Sequence, residues 1–167
     1  MNRNFICMAN HLNRPSIFEI ATAFNNGTPP QHDGYEKTYY SLSNDERNFV
    51  FRHPWLAYKF NDNANKARNA VEGFPNKEDG YGDAIRHCYW CALNQIDSGL
   101  NSSYAKEFGD AHENKPTNNP NAKRMDLHNN SIGYYLGNQA IINGWSEEEL
   151  LKQVINAANN GKLYMLK

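Results

Sequence analysis

The chain lacks most of what would place a protein in a simple functional class. Three cysteines in 167 residues are an odd number and poor material for a disulfide framework. No apolar run approaches the ~20 residues of a membrane span. The opening stretch from Met1 to Ala9 holds only five apolar residues in a row, too few for a signal-peptide core. The expectation is a soluble chain made in the cytoplasm, which leaves the cell only on a dedicated machine. Neither sign of charge prevails: 17 basic residues stand against 18 acidic ones, a formal charge of −1. That balance argues against a nonspecific grip on nucleic acid, which needs a basic face, and leaves only a local basic groove open. There is no G-x-S-x-G nucleophile elbow, no H-E-x-x-H zinc helix, no glycine loop to cradle phosphate and no EF-hand.

What is present reads as one globular domain. Hydrophobic residues make up 40% and aromatics 13% of the chain, enough to bury a core despite a mean hydropathy of −0.83. Residues 1–41 form an irregular segment expected to pack on the domain: a short helix within Ser16–Phe24, a turn-rich stretch with Gly27 and Pro29-Pro30, then a tyrosine-rich extended piece. Residues 42–167 are the helical domain. Ser43 and Glu46 form a capping box, and Pro54 breaks or restarts the helix that follows. Apolar residues from Leu56 to Val71 recur at spacings of three and four, predicting a helix over 55–71. Asp83–Ile96 is apolar on most of its circumference and is therefore the buried central helix. Further helices are predicted over 102–113, 123–143 and, after a second capping box at Ser146, to Ala158. Gly99, Gly144 and Gly161 stop helices. Gly133 and Gly137 lie inside one, in line with Asp126 and Asn130, at a cost of about 1 kcal/mol each against alanine. That alignment predicts the close approach of a neighbouring backbone. The fold class is mainly α, a compact multi-helix domain around one buried helix.

Three polar signatures interrupt the apolar segments: Asp83-Ala84-Ile85-Arg86-His87-Cys88-Tyr89-Trp90, Asp110-Ala111-His112-Glu113 and Met125-Asp126-Leu127-His128-Asn129-Asn130. A protein interior accepts such groups only when they are paired, hydrogen-bonded or bound to a ligand. Asp83 and His87 stand one helical turn apart, so the carboxylate can fix one imidazole nitrogen and leave the other free as a base or metal ligand. Either residue alone could be a satisfied core contact, and a His112 near a helix C-terminus could be structural too. Asp126 and Asn130 share a face, from which His128 turns away. Three histidines on successive helices can converge in a bundle core, where catalytic and metal sites are commonly built. Cys88 and Cys91 form a C-x-x-C inside a helical pattern, with no second pair to complete a zinc site, and read as core thiols. A Cys91 nucleophile with His87 as its base stays open, but a water activated by a His–Asp pair, with or without a metal, needs fewer assumptions.

At these residues the chain resembles a bacterial domain family of polymorphic toxins. Its members stand at the C-terminal ends of wall-associated and Rhs-type proteins, or act as free-standing effectors of type VI secretion. The family pattern GDAFRHAYWNAL is met by Gly82 to Leu93, AxxFxxAHE by Ala105 to Glu113, and MDLHNNxxG by Met125 to Gly133. An upstream segment is met by His53-Pro54-Trp55-Leu56-Ala57 and Asn63 to Ala67. The likeness spans about residues 42–165. Cys88 and Cys91 replace the Ala and Asn of the pattern, which counts against catalysis by either thiol.

The resemblance implies an antibacterial effector with a cognate immunity protein and a secretion apparatus as partners. The residues imply a hydrolase. The expected substrate is a component of the target-cell envelope or periplasm, phospholipid ahead of peptidoglycan; the alternative is a non-enzymatic binding or membrane-disrupting toxin. His87, Asp83, His112 and Asp126 are the expected catalytic group, with Glu113, His128, Asn129, Asn130 and Arg86 in support. If a divalent metal is the cofactor, His87, His112 and Asp126 are its candidate ligands. The immunity protein is expected to cover the cleft at His87 and His112.

Overall fold

The computed structural model describes residues 41–114 and 119–167. Within them are six helices and no strand: α1 (Asn44–Arg52), α2 (Pro54–Ala70), α3 (Tyr81–Ser98), α4 (Tyr104–Glu113), α5 (Pro120–Asn143) and α6 (Glu147–Asn159). Ser43–Lys167 forms a compact unit of its own. The expected features of residues 1–40 lie outside the described residues. No described helix is long and apolar enough to cross a membrane.

Capping chemistry sets the helix starts. Ser43 accepts from the Glu46 amide while Glu46 returns a bond to the Ser43 amide, so the first box is complete. At Ser146 the hydroxyl accepts from the Glu149 amide, but no reciprocal bond forms. α2 begins at Pro54 rather than just after it, because proline suits the first turn, where its missing N–H has no partner to lose. Gly144 ends α5 at φ 63°, a left-handed conformation that glycine adopts without strain.

The central helix is α3. Ala84, Ile85, Cys88, Tyr89, Cys91, Ala92 and Leu93 are all buried. α5 runs against most of its length, while α2, α4 and α6 pack on the rest. The α3–α5 approach depends on two glycines. A Cβ at Gly133 would lie 2.3 Å from the Cys88 carbonyl oxygen, and one at Gly137 would lie 2.6 Å from that of Ala92. The predicted close approach is therefore real, and about two turns before Gly133 on α5 the same packing sets Asp126 against His87. On the opposite side Phe49, Phe60, Phe108 and Trp90 form an aromatic cluster, with ring centroids 5.0–6.0 Å apart. Trp90 donates its indole N–H to the Phe60 carbonyl at 3.0 Å. Burying each such ring stabilises the fold by about 1.5–3 kcal/mol.

Candidate functional site

The polar signatures of α3, α4 and α5 meet at one point. Asp83 and His87 lie on successive turns of α3, and the first turn of that helix is fixed by the loop before it: the Asp79 amide donates to Asp83 Oδ2 at 2.8 Å. Asp126 comes from α5, brought close by the glycine contact. Glu113 is the last residue of α4. His87 sits between them. Its Nε2 lies 3.5 Å from Asp83 Oδ1 and 3.5 Å from Asp126 Oδ1, while its Nδ1 lies 3.4 Å from Glu113 Oε1. All four side chains are buried. Arg86 closes the group from outside. Its Nη2 bonds to Asp83 Oδ1 and lies 3.1 Å from His87 Nε2, while its side chain is 37% exposed.

The charges interact strongly. Burial works to lower the pKa of His87, but the close contact with Glu113 and the charges of Asp126 and Glu113 outweigh it, and the imidazole titrates above its ordinary value despite Arg86. Burial works to raise the Glu113 pKa. The contact with His87, the charges of His87 and His112, and the nearby Asn130 amide prevail and hold it below the usual carboxylate range. Asp126 goes the other way: burial and the neighbouring Glu113 and Asp83 charges push it up to about 7, against the pull of His87 and Arg86. The physical cause is a surplus. Three carboxylates share two cationic partners, and Asp126, which reaches His87 only at 3.5 Å and lies near both other carboxylates, is the least compensated.

The other expected site residues are placed as follows. His112 does not join the cluster; its Nδ1 meets Glu46 Oε1 at 2.7 Å, and its ring stands edge-on to Trp90. Glu46 therefore ties the end of α4 to α1 and sets the position of the adjacent Glu113. Asn130 is fully buried beside Glu113, short of a well-formed hydrogen bond. His128 lies at the surface, 2.9 Å from the Lys162 carbonyl oxygen. Asn129 is buried and holds the C-terminal segment, donating to the Tyr164 carbonyl at 2.9 Å and accepting from the Tyr164 amide at 2.8 Å. That segment then reaches Asp79, whose carbonyl accepts from the Leu166 amide at 2.8 Å. Neither thiol of the C-x-x-C is poised for attack. Both are buried, burial pushes both pKa values well up, and Cys91 faces the Tyr134 hydroxyl rather than a base.

Two further features were not evident from the sequence. One is Glu46, whose capping role hid its second contact with His112. The other is an open cleft lined by Arg68, Asn69, Val71, Glu72, Lys77 and Arg86. Arg86 belongs both to this cleft and to the buried cluster. The sequence signal for the cleft was slight, since Arg68 and Lys77 look like ordinary surface cations.

Among the described residues, Asp83, His87 and Asp126 offer one ligand atom each, all within 4.8 Å of one another. A family model described as a domain of unknown function, DUF6973, matches residues 47–162. No curated protein and no solved structure matches the chain. The matched region covers more than half of the chain and contains Asp83, Arg86, His87, Glu113 and Asp126, so the protein belongs to the DUF6973 family.

Proposed function

We propose that the protein is an antibacterial effector toxin that hydrolyses a membrane phospholipid of the target-cell envelope at the Asp83–His87–Glu113–Asp126 centre. One observation carries the chemistry: Glu113 holds His87 through Nδ1, which turns Nε2 toward two buried aspartates. Proton acceptors thus converge on one spot, as general acid–base catalysis requires. A water bound there gives up a proton to the cluster as its oxygen attacks the ester carbon. The ester C–O bond then breaks, and the leaving alkoxide takes the proton.

The cleft supports the choice of substrate. Arg68 and Lys77 face a single carboxylate, Glu72, on its walls, while Arg86 at its edge is paired with Asp83. That excess of positive charge suits an anionic group, and a phospholipid carries its phosphate beside its ester bonds. The toxin role rests on the likeness of the three motifs to effector domains. A hydrolase active on its producer's own envelope needs an inhibitor, so the partners are a cognate immunity protein and the secretion apparatus that delivers the chain.

The test is to incubate the purified protein with phosphatidylethanolamine–phosphatidylglycerol vesicles and, separately, with peptidoglycan. In parallel the chain is expressed in bacteria with and without an export signal. Lysolipid or fatty acid should be released, toxicity should need export, and both should vanish in a folded His87→Gln variant. Soluble peptidoglycan fragments with intact lipid would replace the substrate. Toxicity that survives His87→Gln with both substrates intact would replace the hydrolase by a non-enzymatic toxin.

A further inference from the structure

The atoms around His87 Nε2 have the spacing of ligands around a shared ion. Asp83 Oδ1 and Asp126 Oδ1 each stand 3.5 Å from that nitrogen. Ligands bonded at about 2.0–2.2 Å to one cation lie roughly 3–3.5 Å apart. Three independent observations point to a cation rather than to ordinary buried contacts. First, Asp126 is 9% exposed, and its Oδ1 is buried with no hydrogen-bond partner although it faces His87 and the second aspartate. A buried carboxylate whose oxygen receives no hydrogen bond is costly. Second, Glu113 engages the far nitrogen of His87, the arrangement that orients and strengthens a metal-ligating imidazole. Third, the cluster already draws in a cation: the Arg86 guanidinium bonds to Asp83 and stands 3.1 Å from His87 Nε2. Arg86 is not locked there, because its side chain also lines the open cleft and has room to turn outward.

We propose that Asp83, His87 and Asp126 bind one divalent cation, and that Arg86 is a gate which holds the cation's place and swings into the cleft when the ion enters. One imidazole and two carboxylates suit Mn²⁺, Fe²⁺ or Zn²⁺ better than a soft ion such as Cu⁺. Three protein ligands leave coordination positions open, as in catalytic rather than structural sites. Such an ion lowers the pKa of a bound water and makes it nucleophilic at neutral pH. The displaced Arg86 would add its charge to Arg68 and Lys77 in the cleft, so that metal entry and anion binding support each other.

This inference stands on the geometry of the ligands and does not require the hydrolase reading, because binding is measured without substrate. The full chain is stripped with a chelator and titrated with Mn²⁺ or Zn²⁺ alone, following heat by calorimetry and melting temperature by circular dichroism. One ion per chain and a raised melting temperature are expected. Asp126→Asn and His87→Gln should each weaken binding by more than about 100-fold. Arg86→Gln, which removes a competing positive charge, should tighten it by about tenfold. Because His87→Gln could disturb packing, the isosteric Asp126→Asn decides if the histidine variant fails to fold. Absence of saturable binding by the wild type, or binding that persists in Asp126→Asn, would overturn the site. Binding found only in Arg86→Gln would overturn it as well, making Arg86 the permanent counter-ion of the cluster. A protein that binds the ion yet cleaves no lipid would leave the metal site standing and remove only the hydrolase.

Discussion

Glu113 Oε1 lies 3.4 Å from His87 Nδ1, on the side of the ring away from both aspartates. The imidazole is thus contacted from behind and presents its other nitrogen to Asp83 and Asp126. The orienting carboxylate comes from the last residue of α4 and the imidazole from the middle of α3, so their meeting depends on how these helices are anchored. Glu46 supplies part of that anchor by binding His112, the residue before Glu113. A chain of contacts therefore leads from the α1 capping box to the buried His87 cluster.

Glu113→Gln keeps the size of the side chain and removes the charge that orients His87. Toxicity and lipid hydrolysis should fall by about 10–100-fold, while far-UV dichroism stays that of the wild type. Measuring the His87 tautomer by nitrogen NMR separates orientation from folding. At a pH high enough to leave His87 neutral, the wild type should carry its proton on Nδ1, and the variant should show both tautomers. An unchanged tautomer with unchanged activity would remove Glu113 from the site.

Asp126→Asn should stabilise the chelator-treated protein and abolish the activity of the untreated one. The carboxylate has two like charges nearby and no hydrogen bond to its Oδ1. Its folded pKa is pushed up to about 7 from an ordinary 3.8. A carboxyl raised in this way destabilises the fold as pH climbs above the unfolded value, and the penalty is complete above the folded one. The gain in melting temperature from Asp126→Asn should therefore be near zero at about pH 4, grow through pH 5–6 and level off above pH 7. A variant that melts lower than the wild type at pH 8 would contradict the surplus-charge account.

Much of this was legible in the sequence, for local reasons. The apolar circumference of α3 marks it as central, and the one-turn spacing of Asp83 and His87 places both on one face. The line of Asp126, Asn130, Gly133 and Gly137 foretold the packing of α5 on α3. What stayed hidden was set by partners far apart in sequence. His112 looks equivalent to His87, yet it lies within reach of Glu46, 66 residues away. His128 was expected to turn away from Asp126, but that it and Asn129 meet the C-terminal segment, 34 and 35 residues on, was not. Glu113, ranked as a helper, stands against the central imidazole because α4 ends there.

Asn129→Ala should free the C-terminal segment without touching the Asp83–His87–Glu113–Asp126 cluster directly. Both hydrogen bonds to the Tyr164 backbone are lost, and a buried pair of this kind contributes about 1–3 kcal/mol. Hydrogen exchange at the Tyr164 and Leu166 amides should accelerate at least about tenfold, while α3 amides keep their protection. Because the Leu166 amide bonds to the Asp79 carbonyl, and the Asp79 amide in turn holds Asp83, a smaller loss of activity should follow. Equal acceleration across α3 would mean that the segment is part of the cooperative core rather than a strap upon it.

His112→Ala tests whether the second histidine acts in the chemistry or only in anchoring α4. The ring is partly exposed, and its Nδ1 bond to the buried Glu46 is the contact at stake. Its loss should cost about 1 kcal/mol in chemical denaturation, with activity falling modestly because Glu113 is less firmly placed. Complete loss of activity in a variant of unchanged stability would instead make His112 a catalytic residue.

Gly133→Ala tests the contact that assembles the site. The added methyl would lie 2.3 Å from the Cys88 carbonyl oxygen and 2.9 Å from Cys91 Cβ. A main-chain atom of a buried helix cannot step aside as a flexible side chain can, so α5 must move away from α3. Such overpacking costs about 1–3 kcal/mol and sometimes more, and against an immovable main-chain oxygen it outweighs the ~1 kcal/mol that alanine gains over glycine from helix propensity. The shift would also draw Asp126 away from His87. Gly73→Ala is the control, because nothing lies within 4 Å of a Cβ there. It should leave stability unchanged or slightly raised. Denaturant unfolding of the two variants, with ion titration of whichever stays folded, should show Gly133→Ala losing both stability and metal binding. If it matches Gly73→Ala in both, the close α3–α5 contact is not what brings Asp126 to the site.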